Sequence, residues 1–170
     1  MIRIIRIGGI KDLIVVLGSS FSLIKDRIAD QEVKICHNLI WEEGISSSIK
    51  AGLMGLDNRQ TDIIFFIVDQ PFLSPELIGL FIKQSKDFRN ALFAVKFGTR
   101  ICHPVLFSVE MIPELLKLEG DKGGKTLFKK HPMKFINWTD RRILVDIDTQ
   151  EDVNKLSLYE DYFSPDPNSY

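Results

Sequence analysis

The stretch DIIFFIVDQPFLSPE, Asp62 to Glu76, decides the fold. Six apolar residues, Ile63 to Val68, run straight into Asp69, Gln70 and Pro71. A continuous run of that kind, β-branched and aromatic, predicts a strand buried on both faces. Ser74 then offers a capping hydroxyl and Pro75 stands at the first helical position. A helix follows, with Leu77, Ile78, Phe81 and Ile82 on its apolar face. In open α/β sheets ligands bind beyond the carboxyl ends of the strands, which is where Asp69 falls.

Outward from this stretch, strand-like and helix-like segments alternate. DLIVVLG (Asp12 to Gly18) and VKICH (Val33 to His37) read as strands around a helical SSFSLIKDRIADQ. ISSSIKAGLMGL, from Ile45, has a helical pattern. ALFAVKF (Ala91 to Phe97) is a strand, HPVLFS (His103 to Ser108) is extended, EMIPELLKL is helical, and GGKTLFKKH is a short helix. MKFINW (Met133 to Trp138) and ILVDID (Ile143 to Asp148) read as two further strands. Thr149 with Asp152 forms a capping box, so a last helix runs to about Leu158. The pattern predicts one α/β domain over residues 1–158, a mostly parallel sheet with helices on both faces, and a polar tail over 159–170.

The bulk numbers narrow the function. The chain has 170 residues, 45% hydrophobic and 26% charged, with a formal net charge of −1. That balance gives no case for a nucleic-acid or membrane partner. No apolar run approaches the roughly 20 residues that span a bilayer, and the start lacks a signal-peptide pattern. Cys36 and Cys102 are far apart and read as buried free thiols in a reducing cytoplasm.

Asp69 alone reads equally as a turn former. Asp146 and Asp148 strengthen the functional reading, because alternate residues of a strand share a face. Carboxylates gathered at a strand-end crevice need a cation between them, and Mg²⁺ takes one or two carboxylates plus phosphate oxygens. Asp69 with Asp146 or Asp148 is thus a magnesium site for a phosphate-bearing ligand, with Asp148 read equally as the residue before the Thr149 cap. In EGISSSIKAGL, Gly44 and the serines Ser46, Ser47 and Ser48 could hold a polar ring or a phosphate, although spacing alone favours simple capping. GDKGG, Gly120 to Gly124, is a polar turn that could bind an anion through its N–H groups and Lys122. His103 has no cysteine or histidine partners at metal-ligand spacing, which argues against a zinc site, and a lone His is more often structural than catalytic. No G-x-S-x-G, Walker or G-x-G-x-x-G motif is present.

Taken in order, HNLIWEEGISSSIKAGL, FFIVDQPFLSPELI, HPVLFS, LEGDKGGKTL and LVDIDTQEDV resemble the MobA-like nucleotidyltransferases, and among them the molybdenum cofactor cytidylyltransferases. The likeness covers about Lys11 to Leu156. It implies a Rossmann-like three-layer sandwich of the nucleotide-diphospho-sugar transferase type, and Mg²⁺-dependent transfer of CMP from CTP to molybdopterin. It further implies Asp69 and Asp146 as catalytic, with Asp148 joining them at the metal. Gly44, Ser46, Ser47 and Ser48 would line the nucleotide side. His103, Gly120, Asp121, Gly123 and Asp148 would face the acceptor, and a molybdoenzyme would be the client. Gln150 stands where the family has proline, and Cys102 where it has the glycine of G-H-P.

One departure matters. The family opens with a strand and a phosphate-cradling loop of the type L-A-A-G-x-S-x-R-M-G-x-x-K, and this chain has no such segment. Met1 to Gly9 resembles the end of the family's first helix. The missing strand would lie between DLIVVLG and IIFFIV. Either the chain is a fragment of a longer product or its sheet closes differently, and exposed strand edges predict a homodimer. Two other readings stay open: a non-catalytic nucleotide- or pterin-binding module or chaperone, and a sibling transferase using GTP or another nucleotide.

Overall fold

The computed structural model describes residues 1–57, 61–86 and 91–162, without the side chains of 157–162. In chain order the elements are α1 (Ile2–Ile7), β1 (Ile14–Leu17), α2 (Phe21–Arg27), β2 (Lys34–His37), α3 (Ile45–Met54), β3 (Ile63–Phe65), α4 (Pro75–Ser85), β4 (Leu92–Phe97), β5 (Arg100–Phe107), α5 (Ile112–Leu115), β6 (Met133–Asn137) and α6 (Gln150–Tyr162). Short 3₁₀ turns stand at Trp41–Glu43, Val109–Met111, Gly124–Leu127 and Arg141–Leu144.

The strands form two sheets. β1 and β2 pair in parallel, from Ile14 opposite Lys34 to Leu17 opposite His37. The larger sheet has the order β3-β5-β4-β6. Among the described residues no ladder joins β1 to β3. This is the break expected between DLIVVLG and IIFFIV. Among the described residues each of these strands is paired on one side only, β1 with β2 and β3 with β5.

Side-chain alternation builds the core on both faces of the larger sheet. From β4, Phe93 and Val95 join Ile5, Leu77, Ile78 and Phe81 beneath α1 and α4. Leu92 and Ala94 point the other way, to Ile49, Leu53 and Leu115 beneath α3 and α5. β3 divides likewise, with Ile64 packed on the first cluster and Ile63 and Phe65 on the second. Leu92 to Val95 are buried on both faces of the sheet, which is why that segment reads as an unbroken apolar run, whereas β3, at the sheet edge, is only half-buried. α3 also reaches the small sheet. A methyl group on Gly52 would stand 3.2 Å from Val16, so the missing side chain lets the helix approach β1.

Three expectations change. ILVDID is not a strand: Arg141–Leu144 wind a 3₁₀ turn. Asp140 caps that turn by accepting from the Arg142 N–H at 2.9 Å and binds the Arg142 guanidinium as well. Local side-chain bonds of this kind outcompete a sheet ladder. The pairing is also less parallel than expected. A two-residue turn at Gly98–Thr99, with Gly98 at φ 58, folds β5 back antiparallel between β4 and β3. Among the described residues only β1–β2 and β4–β6 are parallel ladders. Finally, the last helix runs to Tyr162, past the expected end near Leu158, and 163–170 lie outside the described residues. Its capping box is as expected: Asp152 accepts from the Thr149 N–H at 2.9 Å, and the Asp152 N–H reaches Thr149 Oγ1 at 3.2 Å.

Candidate active site

Asp69 lies four residues past the end of β3, and the segment carrying Asp146 returns to meet it. The Ile147 N–H donates to the Asp69 carbonyl at 2.8 Å, which ties the two chain segments together. Asp146 is held on both oxygens. Gln70 Nε2 donates to Oδ1 at 3.2 Å, and Arg100 Nη2 reaches Oδ2 at 3.0 Å. Asp69 is not so provided. Its Oδ1 is shielded from solvent and has no hydrogen-bond partner among the described residues. Burial, and then the charge of Asp146, push the Asp69 carboxyl above the ordinary carboxylate range. A hydrogen bond from its own backbone N–H opposes the push, Asp148 adds to it, and Lys125, in the Gly124–Leu127 turn, opposes it again.

Two like charges, one of them short of partners, form a cluster that a cation would relieve. The fit of a metal follows from this. Among the described residues no group of three His, Cys, Asp or Glu is placed to hold a metal ion. Asp148 is exposed, and its N–H donates to Asp152 at 3.2 Å as part of the helix cap. Asp69 and Asp146 remain. Two carboxylates with one orphaned oxygen suit a hard ion that keeps most of its waters.

His103 sits where β5 bulges. Ala94 pairs with Val105 but Val95 pairs with Cys102, so His103 and Pro104 are left out of the ladder. Proline has no N–H to give, and a bulge is where a strand tolerates it. The bulge turns His103 Nδ1 onto the Phe65 carbonyl, 3.1 Å away, at the end of β3. A carbonyl only accepts, so Nδ1 carries the proton and Nε2 is an acceptor. Burial pulls the His103 pKa below its ordinary value, so the ring is neutral at pH 7.

The serine segment and the GDKGG turn meet. Gly44, at φ 92, lies against Gly120 and Asp121, and a methyl group there would stand 2.6 Å from the Gly120 carbonyl carbon. The Ser46 N–H donates to the Gly120 carbonyl at 3.1 Å. Gly123 packs near Ile45. The serines themselves face inward: Ser46 and Ser47 are 3% exposed. Buried Asn38 donates to Ser47 Oγ at 2.8 Å and to Ser48 Oγ at 3.0 Å.

The structure therefore brings Asp69 to Asp146, and Gly44 and Ser46 to Gly120 and Asp121. Sequence reading missed Arg100, Gln70, Lys125 and Asn38. Gln70 had a signal, being the residue beside Asp69 in the quoted stretch. Arg100 had none, because its reach depends on the β4–β5 turn.

The MobA-like NTP transferase domain family matches residues 1–134. The chain belongs to that family. A relative is the probable molybdenum cofactor guanylyltransferase of Methanosarcina mazei, 24% identical over 143 residues, or 77% of this chain and 62% of the relative. The chain thus spans about three-fifths of that curated relative. Among solved structures, Rv0371c from Mycobacterium tuberculosis H37Rv superposes with a TM-score of 0.78 at 24% identity, over 91% of this chain and 79% of that one. Its complex with manganese gives 0.74 at 25% identity, over 91% and 82%. The MobA-like fold is thus present, with its sheet broken between β1 and β3.

Proposed function

We propose that this MobA-like domain transfers a nucleotidyl group, CMP from CTP, to the phosphate of molybdopterin. An acceptor phosphate oxygen would form a bond to the α-phosphorus of CTP as the bond to the β-phosphate breaks, releasing pyrophosphate. Asp69 and Asp146 would hold Mg²⁺, whose charge would offset that of the phosphates. The observation that carries this reading is the buried, unpartnered Asp69 Oδ1 beside Asp146. Gly44 and Ser46 to Ser48 shape the nucleotide side, through main chain and packing rather than exposed hydroxyls. His103, Gly120, Asp121, Gly123 and Asp148 face the acceptor. The proposed setting is the cytoplasm, with one domain over 1–158, a molybdoenzyme as client, and a homodimer joined through the β1 and β3 edges, which light scattering would test.

Two other readings have specific support. The guanylyltransferase relative favours GTP in place of CTP. The break between β1 and β3 favours a non-catalytic nucleotide- or pterin-binding module. The deciding experiment supplies molybdopterin and Mg²⁺ with CTP or GTP, each labelled at the α-phosphate, and looks for the dinucleotide and pyrophosphate. Product from CTP alone supports the leading reading, and product from GTP alone replaces it. No product from a folded sample that still binds nucleotide supports the module.

A further inference from the structure

Arg100 opens β5 directly after the Gly98–Thr99 turn, in register opposite Phe97 of β4. A fixed strand end therefore delivers its guanidinium to Asp146 Oδ2 at 3.0 Å, while the side chain stays 58% exposed. Gln70 holds Oδ1 of the same carboxylate. Asp69 Oδ1, beside Asp146, has no partner among the described residues. A carboxylate oxygen can accept a hydrogen bond and hold a metal ion together, but a divalent cation shared by Asp69 and Asp146 repels the guanidinium on Asp146 Oδ2 and not the neutral Gln70 amide on Oδ1. Arg100 is the easier to move, because an exposed ion pair is weakly held. Gln70 would keep the carboxylate oriented after Arg100 leaves. The guanidinium fork binds phosphate as well as it binds carboxylate, so a released Arg100 has a second partner of the same geometry.

We propose that Arg100 is a positioning residue, a tethered counter-ion that holds Asp146 beside Asp69 until a divalent cation binds and then transfers to the polyphosphate of the nucleotide. The proposal rests on the metal reading given above. It predicts effects of opposite sign, which a merely structural ion pair would not produce.

The test uses the full chain as wild type, Arg100→Gln, Arg100→Lys and Asp69→Asn. Mn²⁺ binding is followed by the electron paramagnetic resonance of the free ion. Binding of inorganic tripolyphosphate at saturating Mn²⁺ is followed by calorimetry, which removes the choice of base from the question. Removing a nearby positive charge should tighten Mn²⁺ binding by Arg100→Gln about threefold or more. Losing a bidentate phosphate partner should weaken its tripolyphosphate binding about tenfold. Arg100→Lys should fall between wild type and Arg100→Gln in both. If either change is absent, or both go the same way, the counter-ion role is overturned while the metal site stands. If wild type binds Mn²⁺ no better than Asp69→Asn, the metal reading falls and takes this proposal with it.

Discussion

Two polar clusters follow strands of this fold, and they are built in opposite ways. After β2, Asn38 is buried and closed. It donates to Ser47 and Ser48, accepts from the Ile40 N–H at 3.1 Å, and Ser47 Oγ donates on to the Gly44 carbonyl at 2.7 Å. After β3, Asp69 is charged and open. One oxygen has no partner among the described residues, and Asp146 repels it. A neutral network with its groups paired stabilises a fold and specifies one arrangement. A charged cluster left incomplete works against stability, and its value lies in what it binds. On the proposed reading the carboxylates would carry the chemistry, while the bonds from Asn38 hold the serine hydroxyls as part of the scaffold behind the nucleotide side.

The largest break in this contrast should come from Asp69→Asn. Nucleotidyl transfer should fall at least about a hundredfold in a steady-state assay, the scale of losing a key electrostatic group in a site. The fold should remain, as read by circular dichroism. Normal turnover would reverse the assignment of the two clusters.

Next comes Gly44→Ala. It forces a side chain into the left-handed region and against the Gly120 main chain. The loss should be about 2–3 kcal/mol in denaturant unfolding. Gly98→Ala is the control. That glycine is also left-handed, at φ 58, but nothing lies within 4 Å of an added methyl group. Its cost should be about 1 kcal/mol. Equal losses would mean that backbone strain alone, and not the meeting of the two turns, makes Gly44 necessary.

Asn38→Ala should cost about 2 kcal/mol, because it strands the Ile40 N–H and removes the donor that holds both serine hydroxyls. Turnover per folded molecule should barely change. A loss of activity beyond the loss of folded protein would place the closed cluster in the site.

The smallest effect is one of pH. The Asp69 carboxyl is raised in the fold, so its stabilising contribution is present below the ordinary carboxylate range and lost as pH rises through the folded value. Asp69→Asn should therefore melt slightly higher than wild type at pH 7, by about 1–2 °C, and the gain should vanish at acid pH. Asp140 runs the other way. Its bonds to Arg142 hold its carboxyl below the usual range, so its contribution is present at neutral pH and lost as pH falls through the folded value.

Much of this architecture was legible because it is local. The run Ile63 to Val68 showed a strand, but not one buried on both faces: only the half-buried Ile63–Phe65 enter the ladder, at the sheet edge, and Val68 is 84% exposed. The Ser74 cap accepts from the Leu77 N–H at 3.2 Å, three residues on, and the Thr149–Asp152 box is equally short in range. ILVDID misled because an apolar run of that length suits a strand or a 3₁₀ turn, and the decision lay with Asp140 upstream. The rest is long-range. Arg100 meets Asp146, 46 residues away in sequence, only because β5 folds back at Gly98. Asn38 meets Ser47 only once α3 lies on the small sheet. Asp69 and Asp146 were legible as a pair, but the cation already resting on one of them was not.

The most direct test is a calorimetric titration of CTP, with magnesium, into the wild-type chain and into Asp69→Asn, with GTP run in parallel. Binding that requires both magnesium and Asp69 is the predicted result. Equal binding by the two proteins, or binding indifferent to magnesium, would contradict the claim that the open carboxylate cluster is the metal-nucleotide site.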